Sequence, residues 1–131
     1  MTKPLIMGVL NITPDSFSDG GKFESVAAAL AQAKTLVADG ADILDVGGES
    51  TRPGAARVSV TEEIARVVPV IESIKNLGAL ISIDTMNSET AEAAVAAGAT
   101  IINDVSGGKN DPRILDVAAA TGATLVISHW R

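Results

Sequence analysis

"AAGATIIND", residues 96–104, runs from the end of one regular element to the end of the next. Ala96 and Ala97 suit a helix, and Gly98 suits the left-handed residue that closes one. Ile101 and Ile102 then form the apolar run a buried strand needs, and that run stops on two polar residues, Asn103 and Asp104. The phrase recurs as "ADGADIL" at 38–44, "NLGALIS" at 76–82 and "ATGATLV" at 120–126, each time with Gly-Ala ahead of a β-rich stretch. Four helix-to-strand joints follow. One more strand precedes them, in the short apolar run that ends at Asn11.

The segments ahead of the joints carry apolar side chains at helical spacing. Val26, Leu30, Ala33 and Val37 line one face of 24–38. Ile64, Val67, Val68, Ile71 and Ile74 do the same in 60–74, where Pro69 is expected to kink the helix or mark its weak point. "NSETAEAAVAA" opens on an Asn/Ser cap with an acidic first turn, and "DPRILDVAAAT" offers Asp111 as a cap with Pro112 at the first helical position. The expected order is β-α-β-α-β-α-β-α-β, in a single domain covering residues 1–131. Strands that are apolar throughout and alternate with helices build a parallel sheet with helices packed on it. Such an α/β arrangement fits the first five strands of a (β/α)8 barrel or a five-stranded flavodoxin-like open sheet.

Composition narrows the function classes. With 131 residues and 47% hydrophobic side chains, the chain has material for one core. A net charge of −6, no Lys/Arg cluster, two phenylalanines and one tryptophan offer neither a phosphate-tracking groove nor a base-stacking platform, so nucleic acid is not expected as a partner. No apolar run approaches the roughly 18 residues of a membrane span, and "MTKPLIMGVL" is too short for a signal peptide. The chain has no cysteine, hence no disulfide and no thiolate metal site, and a reducing, cytoplasmic setting is expected.

The strand ends carry the chemistry. Asn11 closes the first, Asp45 and "GGESTRPG" the second, Asp84 and Thr85 the third, Asn103 and Asp104 the fourth, and His129 the fifth. In barrels and open sheets alike, ligands bind at the carboxyl ends of the strands, so these groups are expected to converge on one site. Two connections, "TPDSFSDGGKF" at 13–23 and "GGESTRPGAARVSV" at 47–60, exceed the roughly 2 to 6 residues usual for such turns. Glycine N–H groups, the Thr51 hydroxyl and the Arg52 guanidinium suit phosphate or pyrophosphate oxygens. Asp84, Asn103 and Asp104 suit an amino-substituted heterocycle that presents both donors and acceptors. Asn11 is an oxygen donor suited to a hard cation bound alongside phosphate. His129, the single histidine, reads more simply as a structural residue than as a catalytic base. No dinucleotide fingerprint, Walker motif, G-x-S-x-G elbow or His-x-x-x-His pair is present.

"MGVLNITPDSFSDGGKF", "DILDVGGESTRPGA", "ISIDT" and "IINDVSGG", in this order, resemble the successive signatures of the dihydropteroate synthases, the pterin-binding transferases of folate biosynthesis. The terminal "SHWR" is similar to the family's fifth-strand region. The resemblance implies a TIM barrel that joins 6-hydroxymethyl-7,8-dihydropterin pyrophosphate to p-aminobenzoate, giving 7,8-dihydropteroate and pyrophosphate. It implies that Asn11 helps hold Mg2+ with the pyrophosphate, that Thr51 and Arg52 lie near the anion, and that Asp84 and Asn103 bond the pterin ring, with Asp104 beside them. Asp15, Phe17, Ser18 and Asp19 would shape the p-aminobenzoate side from a mobile first loop that closes over the reaction and excludes water.

The family's later pterin-contacting aspartate, its lysine, and its arginine and histidine near the eighth strand have no counterparts in this sequence. Ser128 stands where the family commonly has a methionine. A (β/α)8 barrel takes about 250 residues, so the expectation is an incomplete barrel with little or no activity alone. Self-association of the chain is expected, because unpaired strand edges seek partners. A non-catalytic pterin- or phosphate-binding half-barrel and the flavodoxin-like domain are the alternatives, and strand order separates the last from the others.

Overall fold

The computed structural model describes residues 5–12, 22–48, 59–104, 106, 109 and 111–127. Five strands alternate with four helices: β1 (Met7–Asn11), α1 (Lys22–Ala38), β2 (Ile43–Gly47), α2 (Val60–Ile74), β3 (Leu80–Asp84), α3 (Ser88–Ala97), β4 (Ile101–Asp104), α4 (Arg113–Thr121) and β5 (Thr124–Ile127). The four Gly-Ala joints are where the sequence places them. Gly40, Gly78, Gly98 and Gly122 all have positive φ, between +75° and +139°. Gly98 and Gly122 cap their helices directly, with Gly98 N bonded to Ala94 O at 3.1 Å and Gly122 N to Ala118 O at 3.0 Å. Gly78 sits further on, because α2 ends at Ile74 with Lys75 as a right-handed cap. Its glycine turns the chain into β3 rather than closing the helix.

Pro69 does not break α2, which runs from Val60 to Ile74. Val70, Ile71 and Ile74, beyond the proline, are fully buried, and their packing offsets the backbone bond the ring removes. Ser59 caps this helix, accepting Glu62 N at 3.2 Å.

All strand pairs are parallel and the order is β1-β2-β3-β4-β5. A flavodoxin-like sheet places its first strand between the second and third, so that alternative is excluded. Sequential order with right-handed crossovers sends every helix to the same side. Consecutive helices accordingly pack on one another, α1 on α2, α2 on α3 and α3 on α4. The core lies between them and the sheet: Leu10, Leu44, Val46, Ile81, Ile83 and Ile102 meet Ala33, Val67, Val70, Ile71, Ile74, Ala91, Ala94 and Ile114. These are four consecutive units and the fifth strand of a (β/α)8-type barrel, whose other face is the concave interior.

Register defines that interior. Val9, Asp45, Ser82, Ile101 and Thr124 are partners across the sheet, and one layer nearer the carboxyl ends stand Asn11, Gly47, Asp84, Asn103 and Val126. Residues paired in this way share a face. Met7, Val9, Leu80 and Val126, all on this side, are the strands' exposed large apolar residues, between 38% and 52% accessible.

One connection ties two helices together. The Asp111 carboxylate accepts Ser88 N, the first residue of α3, at 2.9 Å and Arg113 N, the first of α4, at 3.2 Å, while Arg113 Nε reaches it at 3.0 Å. Asp111 therefore caps its neighbour as well as its own helix. The Arg113 guanidinium and the Ser88 N–H hold its pKa well below the ordinary carboxylate value. A depressed folded-state pKa means stability that is present at neutral pH and lost as the pH falls below the unfolded value of about 4. Asp111→Ala is expected to cost about 1 to 2 kcal/mol in urea unfolding at pH 7, and less at pH 3.

Candidate functional site

The carboxyl ends of β1 to β4 bring Asn11, Asp84 and Asn103 into one layer around Gly47. Glycine at the centre keeps the layer open: a Cβ on Gly47 would stand 3.6 Å from Asp84 Cβ and 3.8 Å from Asn11 Oδ1. Asp45 and Ser82 form the floor one layer below, 5% and 0% exposed. Asp45 Oδ1, Ser82 Oγ and Asn103 Oδ1 are buried with no hydrogen-bond partner. Buried polar atoms are seldom left so, and these three, in the layer and in the floor beneath it, suit a polar heterocycle.

The electrostatics are acidic. Asp84 is pushed up to about 7, first by burial and then by the negative charges of Asp45, Glu63 and Asp104. Asp45 is also raised, by burial. A carboxyl group poised near neutrality switches between donor and acceptor with little change in pH.

Asp104 does not join the layer. Adjacent residues of a strand point to opposite faces, so Asp104 lies on the helix side where Asn103 lies on the interior. It is fully buried, and its Oδ1 accepts Ser106 N at 2.8 Å and Ser106 Oγ at 2.7 Å, which shapes the turn after β4. The expectation of a ligand-facing Asp104 is corrected accordingly; its negative charge acts on Asp84. Asp15, Phe17, Ser18, Asp19, Thr51, Arg52 and His129 lie outside the described residues.

Two residues behind the site, Glu63 and Arg66, are not among the candidates the sequence offers. Glu63 of α2 is fully buried and accepts Thr85 Oγ1 at 2.8 Å, Asn87 Nδ2 at 2.9 Å and Thr90 Oγ1 at 2.5 Å. Arg66, one turn on, donates to Gly48 O at 3.0 Å and to Glu62 Oε1 at 2.9 Å. Gly48 is pressed against the same helix, and a Cβ there would meet Val67 Cγ1 at 3.0 Å. The signal was in the sequence: Glu63 is in phase with Val67, Val70 and Ile74, on the buried stripe of an amphipathic helix.

Residues 7–131 match the model of the pterin binding enzyme family. The chain belongs to that family. Its family relatives include the dihydropteroate synthase of Bacillus subtilis (strain 168), 56% identical over 130 residues that make up 98% of this chain and 46% of the relative. A pea (Pisum sativum) relative, a mitochondrial bifunctional folate synthesis protein, is 50% identical over 98% of this chain and 26% of its own length. Among solved members, a Xanthomonas albilineans dihydropteroate synthase holding 4-aminobenzoic acid superposes with a TM-score of 0.87 at 49% identity, over 97% of this chain and 46% of that one. The Clostridium difficile enzyme in the presence of pteroic acid gives 0.88 at 45% identity, over 96% and 49%. The chain thus spans about half the length of the bacterial synthases it matches. No helix among the described residues is long and apolar enough to cross a membrane.

Proposed function

We propose that this chain supplies the pterin-binding part of a dihydropteroate synthase, the transferase that condenses 6-hydroxymethyl-7,8-dihydropterin pyrophosphate with p-aminobenzoate in folate biosynthesis. The observation that carries the reading is the Asp84–Asn103 pair, register neighbours on the concave face above the unpartnered oxygens of Asp45 and Ser82. A pterin ring edge offers N–H and amino donors beside ring-nitrogen and carbonyl acceptors. Asp84, when ionised, takes two donors, and the Asn103 amide serves either kind.

Asn11 gives the anion its place. Its amide oxygen stands at the end of β1 beside Gly47, where it would serve as a neutral oxygen ligand to Mg2+ alongside the pyrophosphate. Mg2+ bound there would neutralise charge on the departing pyrophosphate. Arg52 and Thr51 would assist from the second long loop, and Asp15, Phe17, Ser18 and Asp19 of the first would seat p-aminobenzoate. An arylamine attacks as a neutral nucleophile, so no strong base is required; the chain positions the partners and keeps water from the pterin methylene.

Calorimetric titration with the dihydropterin pyrophosphate, together with an assay for 7,8-dihydropteroate, tests the reading. Saturable binding with little or no product from these 131 residues is the expected result. Absence of binding would overturn it, and substantial turnover would overturn the half-site description. Arg52→Lys is expected to weaken the pyrophosphate-bearing ligand by about tenfold and the bare pterin hardly at all, since lysine keeps the charge but loses the planar fork. Equal losses for the two ligands would remove Arg52 from the anion site.

A further inference from the structure

We infer that Glu63, which touches no substrate in the proposed reaction, is the positioning residue for Asp84, setting the geometry of the pterin site from the far side of the sheet. The inference rests on the pterin reading of Asp84 and extends it to a residue on the helix layer.

Asp84 is the last residue of β3, and the chain must turn there into α3 within Thr85, Met86 and Asn87. Such a short connection between strand and helix has few backbone bonds of its own. Thr85 N reaches Asn103 O at 3.2 Å, which keeps the strand end beside β4. Among the described residues, three side-chain bonds at this turn converge on one carboxylate, that of Glu63. Thr85 Oγ1 donates to Glu63 Oε2 at 2.8 Å and accepts Asn87 N at 3.1 Å, so its hydroxyl is fixed in direction on both sides. Glu63 Oε1 takes Asn87 Nδ2 at 2.9 Å and Thr90 Oγ1 at 2.5 Å. Strand end, turn and first turn of α3 are thereby gathered on a group carried by α2.

Glu63 is fully buried, as is Thr90, with Thr85 3% exposed. An ionised carboxylate accepts only, and the three side chains around it all donate. Asn87, the residue before α3, makes no capping bond to its own helix with its side chain, which is spent on Glu63 instead. A local cap has been given up for a tertiary tie. α2 treats β2 similarly, since Arg66 Nη1 holds the Gly48 carbonyl at the root of the second long loop. α2 therefore carries the rigid backing against which Asp84 is aimed, as precise sites require.

The test measures the affinity of the chain for 6-hydroxymethyl-7,8-dihydropterin by calorimetry, with a thermal melt for each variant. Glu63→Ala is expected to weaken binding by about tenfold or more in molecules that remain folded, because Thr85, Asn87 and Thr90 lose their common acceptor and Asp84 loses its aim. Glu63→Gln is expected to recover most of that loss, to within about threefold of the parent, since the threonine hydroxyls can turn to accept from the new amide. Thr85→Val, which needs no change of charge, is expected to repeat the loss if Glu63→Ala fails to fold. Glu72→Gln, an exposed change on the same helix, is expected to bind as the parent does. Variants that melt earlier but bind with unchanged affinity would show a structural role only and overturn the inference. If Asp84→Asn binds the pterin as tightly as the parent, the reading of Asp84 itself falls and the positioning role falls with it. A parent chain that shows no binding has the same consequence.

Discussion

Asp84→Asn is expected to weaken binding of 6-hydroxymethyl-7,8-dihydropterin by about 1 to 3 kcal/mol, or roughly 5- to 150-fold. The substitution keeps the shape and replaces an acceptor by a donor, which leaves a buried mismatch against a ring that offers its own N–H groups. The pH dependence is the sharper part. Asp84 is pushed up to about 7. If the carboxylate form accepts from the ring, affinity should rise by roughly tenfold between pH 6 and pH 8, following the ionised fraction. Asp84→Asn should flatten that rise. Calorimetry across this range checks both; a parent profile without a rise would show that Asp84 binds in its protonated form or not at all. Stability should move the opposite way. The folded molecule keeps a proton that the unfolded chain gives up above pH of about 4, so Asp84 makes stability fall as pH rises from there to about 7.

Sedimentation equilibrium of the 131-residue chain is expected to show a mass at least twice the 13.3 kDa of one copy. Among the described residues β1 has only β2 as a neighbour and β5 only β4, so both edges of the described sheet present backbone groups with no strand beside them. The concave face adds Met7, Val9, Leu80 and Val126 to these edges, and Leu5 and Ile6 lie exposed just ahead of β1. Apolar surface of this kind on a strand edge is covered by whatever strand is at hand. Val9→Lys with Val126→Lys should lower the associated fraction several-fold, because edge lysines oppose strand addition. A monomer whose mass is independent of concentration would refute the expectation. It would also mean that the interior side chains find cover within one copy.

Much of this molecule is legible in its amino-acid order, because much of it is local. Positive φ at a Gly-Ala joint, the stripe of Val67, Val70, Ile71 and Ile74, and the polar closure of each apolar run depend on near neighbours, and the elements appear where those patterns put them. The signatures around Asn11, Asp84 and Asn103 likewise identified the layer that the strand ends form. Contacts between distant segments were decided only by packing. Strand order chose the barrel-type sheet over the open one, and no local preference encodes which strands become neighbours. The two-residue alternation of β4 sent Asn103 to the interior and its neighbour Asp104 to the helices, a difference set by which face of the sheet is buried. Asp111 looked like a cap for one helix and became a cap for two, because the chain returns past α3 before α4 begins. Glu63 is the clearest case. Its phase on α2 marks it for burial, but its three partners are 22 to 27 residues away, and only the assembled layers bring them within hydrogen-bonding distance. Sequence determines what can be formed over a few residues; the solvation cost of a buried carboxylate is met only by donors that tertiary structure delivers.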